Sequence, residues 1–352
     1  MENPLTPVPT PPEPAEPAES AAPPAPGPVP ARPLGHPLLR SALYLAVFFV
    51  IQVAIGQALG ALAFALGDRF LREQGLLRSP ELLLMTVVCH APVLWGVTWL
   101  FVRFLDRRTL ASLGARWPAG GRRAALRQVL TMSLGVLALI GSWLLLIAAL
   151  PPALAALRFG GVSAEYSAGG PSWWPLPPLL LLGVLLALFL IQGGLEEWVV
   201  RGYIYHALKE RWRPWWAALA SSVLFSLLHA LNPNVSAFAL LNIILAGLIL
   251  AALVERSGSL WGATLAHGLW NFAIACLVSL PVSGIPLFHL LDVSVSGDER
   301  LTGGSFGPEG SALLTLMGVA LIVRLWWPLR EDRTRKIIAP SAPEDVAGNA
   351  PL

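Results

Sequence analysis

The sequence predicts an all-α, polytopic integral membrane protein, with about eight transmembrane helices. Three observations predict it. Of 352 residues, 55% are hydrophobic and 13% charged, with mean hydropathy +0.64, whereas roughly 25% of residues in a soluble domain are charged. Eight apolar segments approach or exceed the roughly 20 residues that a helix needs to cross a hydrocarbon core of about 30 Å. The arginines gather in short connections between these segments rather than in one patch. That pattern fixes loop topology and leaves no electrostatic footprint for nucleic-acid binding.

Residues 1–40 are rich in proline and alanine and poor in large apolar side chains. Such a segment buries too little surface to offset its ordering entropy and reads as a disordered tail. No basic n-region precedes a short apolar run, so it does not read as a signal peptide. The spans follow at 41–66, 82–104, 127–150, 176–200, 214–230, 236–254, 258–280 and 310–328, making 41–328 the membrane domain and 329–352 a second charged tail. The fifth span is short. Cys89 and Cys276 each lie inside an apolar run and read as small buried hydrophobes, with no disulfide framework or cysteine metal site.

Orientation follows from the basic residues. Arg103, Arg107, Arg108, Arg116, Arg122 and Arg123 lie in the second connection, Lys209, Arg211 and Arg213 in the fourth, and Arg330, Arg333, Arg335 and Lys336 in the C-terminal tail. These belong on the cytoplasmic side, which places both termini there. Arg69, Arg72 and Arg78 in the first connection run against the rule, partly balanced by Asp68 and Glu73. The stretch 105–127 reads as a basic loop rather than an interfacial helix. No internal repeat or pair of similar halves is evident, which disfavours an inverted-repeat transporter, and Gly193-Gly194 is an expected helix interruption without a twin.

Few ionisable groups lie inside the spans, and such groups are functional candidates by default. Glu196, Glu197 and Arg201 are in the fourth, His229 in the fifth and His267 in the seventh, joined by the uncharged Asn242 and Asn271. Glu197 and Arg201 are four apart, with the acid N-terminal, the better order for an ion pair. Glu196 is rotated by about 100° and faces elsewhere. Phe225 and His229 share one helix face, as do His267 and Asn271. Counted from the cytoplasmic turns at about 1.5 Å per residue, Glu196, His229 and His267 can reach one level nearer the cytoplasmic face.

These groups support two chemistries. A carboxylate beside imidazole can take a proton from water, while an Asn amide and a second imidazole donate to the oxyanion of a tetrahedral intermediate. Alternatively, Glu196, His229 and His267 are a donor set suited to Zn2+ with one position left for water. Ser222 and Ser226 flank His229, but no acid is placed to orient that histidine for a serine mechanism. Packing-only and proton-relay roles for the same polar groups are the competing readings.

The motifs E-E-x-x-x-R (Glu196, Glu197, Arg201), F-x-x-x-H (Phe225, His229) and H-x-x-x-N (His267, Asn271) occur in this order on successive apolar helices. In this they resemble the CPBP family, the type II CAAX prenyl endopeptidases and the bacteriocin-processing or self-immunity membrane proteins, over about residues 176–280. The resemblance implies an intramembrane endopeptidase, its helices arranged around an intramembrane catalytic cavity, in which Glu196 and His229 activate water, His267 and Asn271 bind the oxyanion, and Glu197, Arg201 and Phe225 support them. It leaves both a zinc-dependent and a metal-free glutamate mechanism open. Its partners would be the lipid bilayer and a peptide or protein substrate at the membrane. Eukaryotic relatives act on prenylated proteins, and some bacterial ones are immunity or scaffold proteins. The Arg-rich, Lys-poor, Ala- and Pro-rich composition is that of a high-GC bacterial genome, for which the inner membrane is the expected location.

Overall fold

The computed structural model describes residues 33–65, 80–116, 121–167, 177–284 and 289–338. Eight long or apolar helices run through them. They are α1 (Pro37–Ala65), α2 (Pro80–Leu100), α3 (Gly121–Ala149), α4 (Pro178–Glu197), α5 (Pro214–Leu228), α6 (Ala237–Ser257), α7 (Trp261–Phe272) and α8 (Ala312–Ile338). π-helical turns extend α2 through Phe101–Leu105, α4 through Trp198–Ile204 and α7 through Ala273–Leu277. A final turn, Tyr205–Lys209, completes α4. Six of these segments are long and apolar enough to cross a membrane, and Pro214–Leu228 is shorter. The protein is an integral membrane protein with the expected helix order.

Local sequence sets the helix ends. Pro178 and Pro214 occupy first-turn positions, where a missing N–H costs nothing and φ is already helical. Ser236 caps α6 by accepting from the Ala239 amide at 3.1 Å, and Gly258 ends it in the left-handed region at φ 63°. α8 continues through Pro328 to Ile338, past the span expected to end at 328. Residues 1–32 of the expected tail, the arginine-bearing connection 66–79 and the residues after 338 lie outside the described residues, while residues 37–40, expected to belong to the disordered tail, form the first turn of α1.

Two features depart from expectation. Gly193 and Gly194 do not interrupt α4, which is continuous across them. They are packing contacts: a Cβ on Gly194 would meet Thr264 Cγ2 at 3.1 Å, and one on Gly193 would meet the Gly268 amide nitrogen at 3.0 Å. A Cβ on Gly268 would lie 2.8 Å from both Leu190 Cα and the Phe189 carbonyl oxygen. Hydrogen side chains therefore let the backbones of α4 and α7 touch. Second, the all-α core carries one antiparallel pair, β1 (Ala155–Val162) with β2 (Leu291–Gly297), in the register Ala155 with Gly297 and Val162 with Leu291. Both strands lie in connections, where a short β pair changes nothing in the span pattern.

Of the basic stretch 105–127, residues 106–116 form a packed loop, whereas 121–127 belong to α3, which begins six residues before the span expected at 127. A single 3-10 turn at Leu110–Leu113 buries Leu113, and Gly114 accepts from the Leu260 amide at 2.9 Å. Ser259 Oγ donates to the Arg116 carbonyl at 2.9 Å, so this loop braces the start of α7.

Candidate active site

α4 approaches α7 at the Gly193–Gly268 contact, and the carboxylates three and four residues along α4 consequently meet the imidazole one residue before Gly268. Glu197 and Arg201 form the ion pair that their spacing demands, Oε1 to Nη1 at 3.0 Å, with both side chains wholly buried. The guanidinium lies 4.5 Å from the centre of the Phe225 ring, a cation–π contact. It also requires Gly247, where a Cβ would stand 2.7 Å from Arg201 Nη2 and 2.5 Å from Ser222 Oγ.

Spacing alone did not reveal that Glu197 has a second partner. The same Oε1 lies 3.0 Å from His267 Nδ1, so one carboxylate ties the arginine of α4 to the imidazole of α7. The other ring nitrogen, Nε2, is 3.7 Å from Glu196 Oε2. His267 thus stands between two carboxylates, one buried and bonded, the other 30% exposed and beyond hydrogen-bond reach.

Glu196 is held by a residue the motifs do not contain. Gln192, one turn earlier, donates from Nε2 to Glu196 Oε1, and its own Oε1 accepts from Asn271 Nδ2 at 3.2 Å. Sequence offered a signal: Gln192 is a polar residue in an apolar run, four positions before Glu196 on the same face. Glu196 Oε2 is buried with no hydrogen-bond partner among the described residues. That atom is the acceptor left over once the chain Asn271, Gln192, Glu196 is complete.

His229 ends α5. Its Nδ1 is 2.9 Å from the Phe225 carbonyl oxygen, and its ring is edge-on to Phe225 at 4.6 Å. If Nδ1 carries the proton it donates to that carbonyl, and Nε2 is then a lone-pair acceptor. Glu196, His229, His267 and Asn271 all line one cavity of about 1440 Å³, whose walls also include Phe48, Leu139 and Leu321. Asn242 reaches the same cavity but is taken up elsewhere. It donates to the Glu309 and Ser311 carbonyls at 2.8 Å each and accepts from Thr315 Oγ1 at 2.7 Å, so it joins α6 to the chain entering α8. Ser226 Oγ is engaged with the Leu240 carbonyl at 2.8 Å.

Glu196, His229 and His267, the donor set suited to zinc, share the cavity without converging. Among the described residues no three His, Cys, Asp or Glu side chains are grouped to hold a metal ion. Nδ1 of His229 and Nδ1 of His267 face protein acceptors, which leaves Nε2 of each ring to face the cavity.

No curated protein matches the chain. Residues 177–273, which comprise α4 to α7 and contain every motif residue of this cluster, match the family model described as type II CAAX prenyl endopeptidase Rce1-like.

Proposed function

We propose that the protein is an intramembrane endopeptidase that hydrolyses peptide bonds of membrane-associated substrates with water activated by Glu196, without a metal. The observation that carries this is the unpartnered, buried Glu196 Oε2 beside His267 Nε2. In this mechanism a water bridges Glu196 Oε2 and His267 Nε2, which lie 3.7 Å apart, from the cavity side. Glu196 Oε2 takes one of its protons, His229 Nε2 accepts a hydrogen bond from the other, and the hydroxide oxygen attacks the scissile carbonyl carbon. The oxyanion formed is bound by His267 Nε2–H and by the second Asn271 Nδ2–H, the first being used by Gln192. On collapse the C–N bond breaks and Glu196 returns its proton to the amine.

Charge balance supports the donor role of His267. Two carboxylates and one guanidinium leave one negative charge in a buried cluster, and a doubly protonated imidazole cancels it. Both of its N–H groups then have an acceptor, Glu197 at Nδ1 and the developing oxyanion at Nε2. Glu197, Arg201, Gln192 and Phe225 position the reacting groups without touching substrate. The substrates proposed are peptide segments at the cytoplasmic side of the bilayer, and both termini are proposed to be cytoplasmic.

A peptide library presented to the protein in lipid nanodiscs tests this reading. Cleavage by the wild type is expected to disappear in Glu196→Gln, while expression and thermal stability stay near normal, and to survive a strong zinc chelator. Loss of cleavage in chelator with restoration by zinc would replace the metal-free mechanism. Cleavage that persists in Glu196→Gln would remove Glu196 from the reaction.

A further inference from the structure

α8 carries one charge within its apolar stretch Ala312–Leu329, Arg324. A lone guanidinium at that position is costly in a membrane helix unless something uses it. Its helix face identifies the use. Leu314, Met317, Gly318, Leu321, Arg324 and Leu325 recur at helical spacing, and all of them line the cavity that holds Glu196 and His267. Arg324 is exposed, and no carboxylate among the described side chains lies within ion-pair distance of it. The acid nearest in sequence on the neighbouring helix end, Glu255, is bonded to Lys209 at 2.5 Å and Tyr205 at 2.7 Å. A second cation stands close by, since Arg256 Nη1 donates to the Leu325 carbonyl at 3.1 Å.

The reacting cluster and Arg324, which lies toward the end of the bundle marked by Lys209 and Arg256, line the same cavity, and Gln52, His90, Ser142, Asn242 and Glu309 add further polar groups to its walls. Leucines 139, 145, 146, 253 and 321 lie along the walls. We propose that Arg324 is an anion-binding site inside the cavity, which holds the carboxylate or phosphate of an amphiphile whose apolar part lies against these walls. A guanidinium suits either anion because its paired N–H groups match two oxygens at once. As a deepening of the peptidase reading, on which this clause rests, the bound anion fixes the direction in which a substrate lies and selects for a free acidic end.

The competing explanation is that the guanidinium merely reaches to interfacial water along its own apolar stem. Binding without turnover separates the two. Full-length protein in neutral detergent is given palmitate, palmitamide or 1-palmitoyl lysophosphatidate at alkaline pH, and retained ligand is counted by native mass spectrometry. The wild type is expected to bind at least one of the two anions roughly tenfold or more tightly than the amide. Arg324→Gln is expected to abolish that preference, and Arg324→Lys to keep part of it. Stronger binding of palmitate indicates a peptide-type carboxylate, and stronger binding of lysophosphatidate a lipid headgroup. An anion preference that is absent in the wild type, or undiminished in Arg324→Gln, overturns the site. Because no cleavage is required, anion binding through Arg324 by a protein that cleaves nothing would preserve this site while removing the peptidase reading.

Discussion

Arg201 sits fully buried with Nε and Nη2 lacking any hydrogen-bond partner among the described residues, and its charge is compensated chiefly by the bonded Glu197 and the Phe225 ring. Removing one partner of such a pair strands the other, at a typical cost of about 3–5 kcal/mol. Arg201→Ala is accordingly expected to lower thermal stability markedly. Adding Glu197→Gln should restore much of the stability by removing the orphaned charge. It should not restore cleavage, because His267 Nδ1 then loses the anion that fixes its orientation. Thermal melts and cleavage assays on the two variants check this, and full recovery of both would mean Glu197 acts only as a counter-ion. The Glu197–Arg201 pair was legible from the spacing alone, since it is a property of one helix. The link from Glu197 to His267 was not, because it depends on how α4 crosses α7.

That crossing is an element-scale device, and glycine carries it. Gly268 has no room for a methyl group, with Leu190 Cα and the Phe189 carbonyl both 2.8 Å from its would-be Cβ. Neither obstacle is the end of a flexible side chain, so Gly268→Ala must move one helix relative to the other. Overpacking of this kind costs about 1–3 kcal/mol, and a displacement near 1 Å at reacting groups can cost about 10²-fold in rate. Gly268→Ala is expected to lose cleavage by at least that order while remaining folded. Gly141→Ala on α3, where a Cβ meets nothing within 4 Å, should leave cleavage unchanged. Equal activity of the two variants would show that the α4–α7 contact does not set the site. The helices themselves were readable because each is a continuous apolar run bounded by Arg, Pro or Gly. The β1–β2 pair was harder to read: LDVSVSG does alternate apolar and polar residues as a strand would, but AALRFGGV does not, and the partners lie more than a hundred residues apart. Gly193 and Gly194 looked like a break for a related reason: helix propensity penalises glycine, and only the partner helix shows why it is tolerated.

At the scale of the whole molecule, helix order and loop charge combine into a claim about sidedness. α4 and α7 point in opposite directions through the bundle, so the Lys209 end of α4, the Arg213 that precedes α5 and the Gly258 turn between α6 and α7 fall at one end. The loop bracing that end, residues 106–116, carries Arg107, Arg108 and Arg116 and docks on Ser259 and Leu260. The β1–β2 pair follows α3 and α7 and carries one basic residue, Arg158, against Asp292 and the neighbouring Asp298. The positive-inside rule predicts that the first end is cytoplasmic and that the β pair faces the opposite side. Cysteine placement tests this directly. In a protein with Cys89 and Cys276 replaced by alanine, Ser112→Cys on the basic loop and Ser296→Cys on β2 each introduce one thiol at an exposed position. A membrane-impermeant maleimide applied to intact cells is expected to label the thiol at position 296, and to label the one at position 112 only after permeabilisation. The reverse pattern would invert the protein, bring the Arg324 end of the cavity to the outer face, and move the proposed substrates to that side with it.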